Sequence, residues 1–407
     1  MTQPLVPRVL RPRRAAPADA VRPTRAEVNL EALRHNLRVV RRHAGEARVW
    51  AVLKADGYGH GAPAVARTLE RAVDGFCVAL LEEGVELREA GIVAPILVMG
   101  GHYGNAHEEV VARELIPVVH DLDQVKAFAR LVRSGAVRGP IDVHLKIDTG
   151  MARLGVTMEA LPALAAGLAD VPEVRVRGLM THLACADAPT NEETIEQMLL
   201  FDEATALLAR HGVRPTVRHA ANSAAVLRSQ ARLDAVRPGI AIFGVSPAVD
   251  GQPLAAELRP VMCVRTEIVA VRDVDVGARV GYGATWRASR RSRIATVPMG
   301  YADGLSRQLG GSNVPSERAA PRRGGDVLVR GRRAPIVGAV SMDMTMIDVT
   351  DVPGASLRDA VVVLGAQEGP LGRDVVGASE VATRGDTIPW EVLTSVSRRV
   401  PRFYREP

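Results

Sequence analysis

The chain has 407 residues, of which 47% are hydrophobic and 3% aromatic, and a formal net charge of +6 at pH 7. That length supports two or three domains with a large buried core, and no apolar run approaches the ~20 residues needed to cross a membrane. The positive excess sits at the start, where residues 1–25 hold six arginines (8, 11, 13, 14, 22 and 25) against Asp19 alone; the nearly balanced remainder has no basic stripe suited to nucleic acid.

Residues 1–27 are rich in Arg, Pro and Ala and lack the apolar core of a secretory signal. They read as a basic leader, disordered or extended against a later β domain, with a composition that overlaps organelle transit peptides. Asn29 is placed to cap a helix whose Leu30, Leu33, Leu37 and Val40 share one face. From there short β-branched runs alternate with amphipathic stretches. The predicted strands are 49–54, 76–80, 95–99, 116–120, 141–148, 174–182, 216–221 and 235–243. Helices are predicted over 62–72, 82–90, 105–113, 121–133, 158–168, 192–211 and 223–233. Eight such strands joined by helices predict an α/β fold, a (β/α)8 TIM-type barrel over residues 28–258. After Pro260 the runs 261–274, 292–298, 326–330, 334–348 and 360–364 are strand-like, with Gly, Pro and Asp turns between them. They predict a mostly-β C-terminal domain over 259–407, ending in a helical piece at 390–400. Cys77, Cys185 and Cys263 have neither metal-type nor redox-type spacing, so a reduced, cytoplasmic compartment is the default and no metal is expected.

Active sites of such barrels lie at the C-terminal ends of the strands. Lys54, His120, Lys146, His182, Asn222, Ser223 and Arg237 occupy those ends. Singly, each has a plainer reading as a helix cap, core histidine or ion-pair partner; their concentration is what points to a site. Lysine is scarce, three residues (54, 126 and 146) among 52 Lys+Arg. An amine placed in the apolar run around Lys54 therefore suggests chemistry that guanidinium cannot perform, loss of a proton and attack on a carbonyl. Lys126 falls on a polar helix face. Ser223 opens a helix after a strand, and Arg237-Pro238-Gly239-Ile240 offers backbone N–H groups beside a glycine, as in a barrel phosphate site. A lysine with a phosphate site suggests pyridoxal 5'-phosphate.

Over nearly its full length the chain resembles the bacterial alanine racemases. The resemblance rests on residues 51–61, 144–155, 181–187, 219–223, 236–244, 280–285, 300–304 and 340–343, eight motifs in the family's order. It implies racemisation of alanine by two bases with pyridoxal phosphate, supplying D-alanine for peptidoglycan. Lys54 would hold the cofactor covalently and act as base on one face of Cα. Tyr282, from the partner of an obligate homodimer, would act on the other. His182 would polarise that phenol with Arg237 behind it; Arg237 would also face the pyridine nitrogen, with His219 as its partner. Tyr58, Ser223, Gly239 and Ile240 would hold the phosphate, with Asn222 beside them. Arg153 would lie near the cofactor's phenolic oxygen and the substrate carboxylate, anchored by Lys146 in carbamylated form. Met342 would offer its N–H to that carboxylate, and Tyr301 would narrow the entrance, with Asp187 and Arg307 further out.

Two departures stand out. The family's usual Tyr-Glu appears as Trp390-Glu391, where an indole replaces the phenol that reaches the phosphate. Ala339 occupies a position where arginine is common. Together they suggest a looser entrance and a relaxed preference for alanine. The alternatives are a broad-specificity amino-acid racemase, a relative that is typically exported, and a non-catalytic pyridoxal phosphate protein built on the barrel alone, which would lack Tyr282, Tyr301 and Met342. Decarboxylases that pair a barrel with a β domain are disfavoured by the lack of a Cys-Asp-Gly-type site in the second half.

Overall fold

A computed structural model describes residues 21–101, 103–104, 106–188, 190, 192–247, 256–315 and 320–406. Residues 1–20 of the expected leader, and Asn105 of an expected helix, lie outside the described residues. The chain divides into two compact units, Asn29–Val261 with Tyr404–Pro407, and Met262–Phe403 with the described part of Met1–Val28.

The first unit opens on a helix, Leu30–Ala44, capped as its sequence predicts: the Asn29 side chain accepts the Ala32 N–H at 2.9 Å, and Gly45 closes it at φ 63°. After β1 (Arg25–Asn29) come the barrel strands β2 (Arg48–Val52), β3 (Gly75–Val78), β4 (Ile96–Val98), β5 (Ile116–Val119), β6 (Ile141–Lys146), β7 (Val174–Met180), β8 (Val217–His219) and β9 (Ala235–Val236). All neighbours are parallel, and β9 pairs with β2 to close the ring. The strands are largely buried because helices cover the outside while side chains fill the inside. Two expectations fail here. The strand predicted over 235–243 stops at Val236, and residues 239–243 form a turn in which Ile242 and Phe243 donate to Gly239 and Ile240; Pro238, which has no N–H, ends the ladder. The helix predicted over 223–233 is cut to Ser223–Leu227.

In the second unit lie β10 (Met262–Glu267), β11 (Ala270–Val274), β12 (Arg279–Val280), β13 (Trp286–Arg287), β14 (Ser292–Val297), β15 (Asp326–Val329), β16 (Arg332–Pro335), β17 (Thr345–Asp348), β18 (Ala360–Gly369), β19 (Gly372–Val376) and β20 (Arg402–Arg405). One sheet runs β16-β15-β18-β10-β1-β20 with β19 on β18; the others are β11-β14-β17 and the ribbon β12-β13. At the end of the leader, Arg25–Val28 thus form a strand paired antiparallel with β10, the extended rather than the disordered of its two readings. The strand-like run 261–274 is two strands in different sheets, and 334–348 splits into β16 and β17 around a turn. A helix that the sequence reading missed, Ala378–Arg384, precedes the final one, Pro389–Ser395.

Candidate active site

The barrel strands end on the expected polar residues. Lys54 follows β2 after one intervening residue, Leu53, and begins a turn with left-handed backbone at Ala55, Asp56, Gly57 and Tyr58 (φ 52°, 58°, 61° and 52°). Such geometry costs about 1–2 kcal/mol per non-glycine residue. Two carboxylates compensate: Glu83 Oε1 accepts the Ala55 N–H at 2.6 Å, and Asp56 Oδ1 accepts the Ala62 N–H at 2.9 Å. The same turn carries Tyr58 inward, where its ring packs on Phe243 at 5.1 Å between centroids.

After β8, Asn222 spends its side-chain oxygen on the Ala224 and Ala225 N–H groups, both at 3.1 Å. Ser223 Oγ accepts the Gly239 N–H at 2.8 Å, tying the turn after β8 to the turn after β9. A Cβ on Gly239 would lie 2.2 Å from the Tyr58 hydroxyl, so backbone and phenol are in close approach. The Ile240 N–H has no protein partner among the described residues. Burial raises the proton affinity of Tyr58 further above an ordinary phenol's, leaving it a neutral donor. Two hydroxyls and a backbone N–H can therefore serve an anion here without competition from another negative group.

Arg237 follows β9 and is buried. Its Nη1 donates to His219 Nδ1 at 2.6 Å and to the His219 carbonyl at 2.9 Å, and Nη2 donates to the Thr181 and Ala220 carbonyls at 2.7 and 3.1 Å. His182 Nδ1 lies 3.5 Å from Nη2. The Nε–H has no protein partner among the described residues. Burial lowers the guanidinium to about 10, still charged at neutral pH. Burial and then Arg237 depress His182 to about 3, so that ring is neutral.

Burial, then Arg153, lowers the proton affinity of Lys54, with Glu83 opposing. The same two causes bring Lys146, at the end of β6, down to about 8. Arg153 itself is exposed, on a loop in which Asp148 Oδ1 accepts the N–H groups of Gly150, Met151 and Ala152. Arg237, Arg153, Lys146 and Lys54 thus all sit within electrostatic range of the neutral His182, a group of basic side chains suited to a ligand with several negative oxygens. His120 stands apart, bonded to Gln124 and 3.6 Å from Asp121.

Of the other predicted site residues, Tyr282, Tyr301, Met342 and Trp390 lie on the second unit. Tyr282 is 75% exposed, on a short helical turn after β12. Tyr301 and Met342 are held side by side, with Tyr301 N donating to the Ser341 carbonyl and Ala302 N to the Met342 carbonyl, both at 3.0 Å. The Met342 N–H has no protein partner among the described residues, and Arg307 stacks over Tyr301 at 5.9 Å. Trp390 is half-buried on the last helix. Ala339 lies against Gly281, next to Tyr282. Among the described residues, no cluster of three or more His, Cys, Asp or Glu could hold a metal ion, and no helix is long and apolar enough to cross a membrane.

Residues 28–247 match the family described as alanine racemase, N-terminal domain, and residues 261–404 match alanine racemase, C-terminal domain. The chain belongs to the alanine racemase family. It is 60% identical, over 95% of its own length and 100% of the relative's, to an alanine racemase of Sorangium cellulosum. Among solved structures, an alanine racemase from Bacillus anthracis with bound L-Ala-P aligns at TM-score 0.85 and 33% identity, covering 95% and 96% of the two chains. An alanine racemase from Bartonella henselae with covalently bound pyridoxal phosphate aligns at TM-score 0.81 and 28% identity, covering 94% and 99%.

Sequence reasoning gave no role to three residues that support the candidate site. Glu83 holds the strained turn after Lys54, yet reads only as an acid near a helix start. His144 and Trp50 flank His219 inside the barrel. A histidine between Val143 and Leu145 of a predicted strand was the available signal for His144; a tryptophan before Lys54 reads simply as core.

Proposed function

We propose that this protein interconverts L- and D-alanine with pyridoxal 5'-phosphate, the D-alanine serving peptidoglycan. The observation that carries this reading is the pairing of Lys54, an amine whose proton is loosened by burial and Arg153, with the donor cradle of Tyr58, Ser223 and Ile240. The cradle suits the cofactor's phosphate because its donors are neutral, convergent and tightly set, while Asn222 shapes the turn beside them. The unpaired Nε–H of Arg237 suits the pyridine nitrogen. When bound, the cofactor supplies an aldehyde for the amine of Lys54 or of substrate, and an electron sink for the bonding pair released when the Cα proton leaves.

The chain's own residues then divide the work. The Lys54 amine takes or returns the Cα proton on one face. A guanidinium donates hydrogen bonds but keeps its proton, so Arg237 limits the sink and favours reprotonation at Cα, that is, racemisation. Neutral His182, held near Arg237, can polarise the hydroxyl of the second base. Tyr282 fills that role on the opposite face. With Tyr282, Tyr301 and the Met342 N–H all on the second unit, we propose a homodimer in which each protomer lends these groups to its partner's barrel. Arg153 binds the substrate carboxylate, and Lys146, uncharged more readily than an ordinary lysine, reacts as the neutral amine with carbon dioxide, losing one N–H proton to solvent, to give the carbamate that anchors Arg153. We place the protein in the cytoplasm, where its three cysteines would stay reduced.

A chiral assay of the purified protein with L-alanine, and separately with D-alanine, tests the reading: both must approach the same equal mixture. Lys54→Ala must abolish that conversion and the borohydride-fixed adduct at position 54. Turnover by this variant at the wild-type rate refutes the assignment.

A further inference from the structure

His144 is a buried titratable group with no part in the chemistry above, and three separate features of the fold converge on its placement. The β6–β7 ladder shifts register beside it: Val143 pairs with Val176 but His144 with Gly178, leaving Arg177 as an extra residue on β7. A bulge of this kind re-aims side chains, and here it brings a glycine opposite the imidazole. A Cβ at 178 would lie 2.3 Å from His144 Cγ and Nδ1, so the ring occupies space that any other residue would fill. Trp50, from β2, packs at 5.4 Å from His144 and 6.1 Å from His219 between ring centroids, walling in the pair.

The hydrogen bonds have only one consistent direction. A guanidinium has no acceptor, so at 2.6 Å Arg237 Nη1 donates and His219 Nδ1 accepts. Neutral His219 then carries its proton on Nε2, which lies 2.8 Å from His144 Nδ1 and must donate to it. His144 in turn carries its proton on Nε2. Burial, then Arg237, holds His144 down to about 3 and His219 well below the usual histidine range, so both rings are neutral and each has a single defined tautomer.

We propose that His144 is a positioning residue: by accepting from His219 Nε2 it fixes the tautomer that presents Nδ1 to Arg237, and so aims the guanidinium. The consequence for catalysis rests on the function proposed above, because it concerns the group that Arg237 faces. Loss of the acceptor frees His219 to turn or to place its proton on Nδ1, where it would oppose the Arg237 Nη1–H and push the guanidinium away.

The test separates the two levels. Long-range nitrogen–proton NMR of histidine-labelled apoprotein reads the tautomers directly and needs no racemase activity. Wild type and His144→Asn, whose side-chain oxygen can replace Nδ1 as acceptor, must show His219 as the Nε2–H form. His144→Phe and Gly178→Ala, which remove or displace the acceptor, must lose it. With pyridoxal phosphate bound, those two variants must also show a shifted visible absorption band, a larger share of transamination per turnover and a kcat lowered on the order of tenfold at unchanged KM, while His144→Asn recovers most of the rate. A wild-type His219 protonated on Nδ1 overturns the proposal even if neither disruptive variant folds. So does His144→Phe with the tautomer, absorption and reaction partition of wild type. Inactive wild type with the stated tautomers would instead count against the proposed function alone.

Discussion

The Tyr58 hydroxyl stands where a side chain at position 239 would begin, 2.2 Å from the Cβ that Gly239 lacks. That approach joins the turn after Lys54 to the turn after β9, and it gives Gly239 a reason to be glycine that does not depend on its φ. Gly239→Ala must displace either the phenol, which is buried against Phe243, or the turn that Ser223 holds. We expect cofactor affinity to fall by at least ~10-fold, the loss of about one charge-assisted hydrogen bond, as measured by equilibrium titration of apoprotein with pyridoxal phosphate. Unchanged affinity would remove Tyr58 from the cradle.

Lys146 makes stability depend on pH with a definite sign. Its amine is lowered from the 10.5 of an ordinary lysine to about 8, so between those values the unfolded chain holds more protons than the native one and stability rises with pH. Below pH 8 the native state bears the full penalty of a charged amine beside Arg153 and Arg237. In carbonate-free buffer, Lys146→Met should melt higher than wild type at pH 7, and the gap should close as pH rises through that window. Added bicarbonate should narrow the gap at pH 7 by forming the carbamate. A gap that is flat with pH would contradict the assignment.

If Tyr282 serves a partner's barrel, two dead proteins should make a live one. Lys54→Ala and Tyr282→Phe, unfolded together and refolded as a mixture, would form mixed dimers in half the population, each with one intact lysine–tyrosine pair, so about a quarter of all sites would be restored. Recovered racemisation near that fraction, relative to wild type refolded alike, is the expected outcome. No recovery would place the second base within one chain.

Trp390 and Ala339 set a prediction about breadth. We expect measurable racemisation of serine by wild type, and a lower serine-to-alanine ratio of kcat/KM in a Trp390→Tyr, Ala339→Arg double variant. Wild type confined to alanine would show that neither departure widens the entrance.

The barrel was legible because a strand buried on both faces leaves an unbroken apolar run, and because chemistry at its mouth leaves polar residues where those runs end. Lys54, His182 and Arg237 were found that way. The parts that depend on pairing were not legible. Nothing in the residues 174–180 shows that Arg177 is left over when β7 meets β6, yet that extra residue is what sets His144 against Gly178. Likewise Pro238 and Gly239 interrupt a run that is apolar on both sides, so the ninth strand looked longer than it is. In the second unit, the helix Ala378–Arg384 is only 7 residues long, and its apolar side is Ala378, the buried Ala382 and Val381, which packs on Leu328, Val362 and Val376, too short a stretch for periodicity to stand out.

The left-handed run from Ala55 to Tyr58 has little local support beyond Gly57 and the Asp56–Ala62 hydrogen bond, because alanine and tyrosine prefer other conformations. It exists because Glu83, contributed by a different βα segment, reaches across to Ala55. A short synthetic peptide spanning this stretch should therefore lack the turn and capture the vitamer no better than free lysine does. In a refolding experiment, the appearance of the bound chromophore would mark the moment at which neighbouring segments have docked, a built-in clock for completion of the barrel.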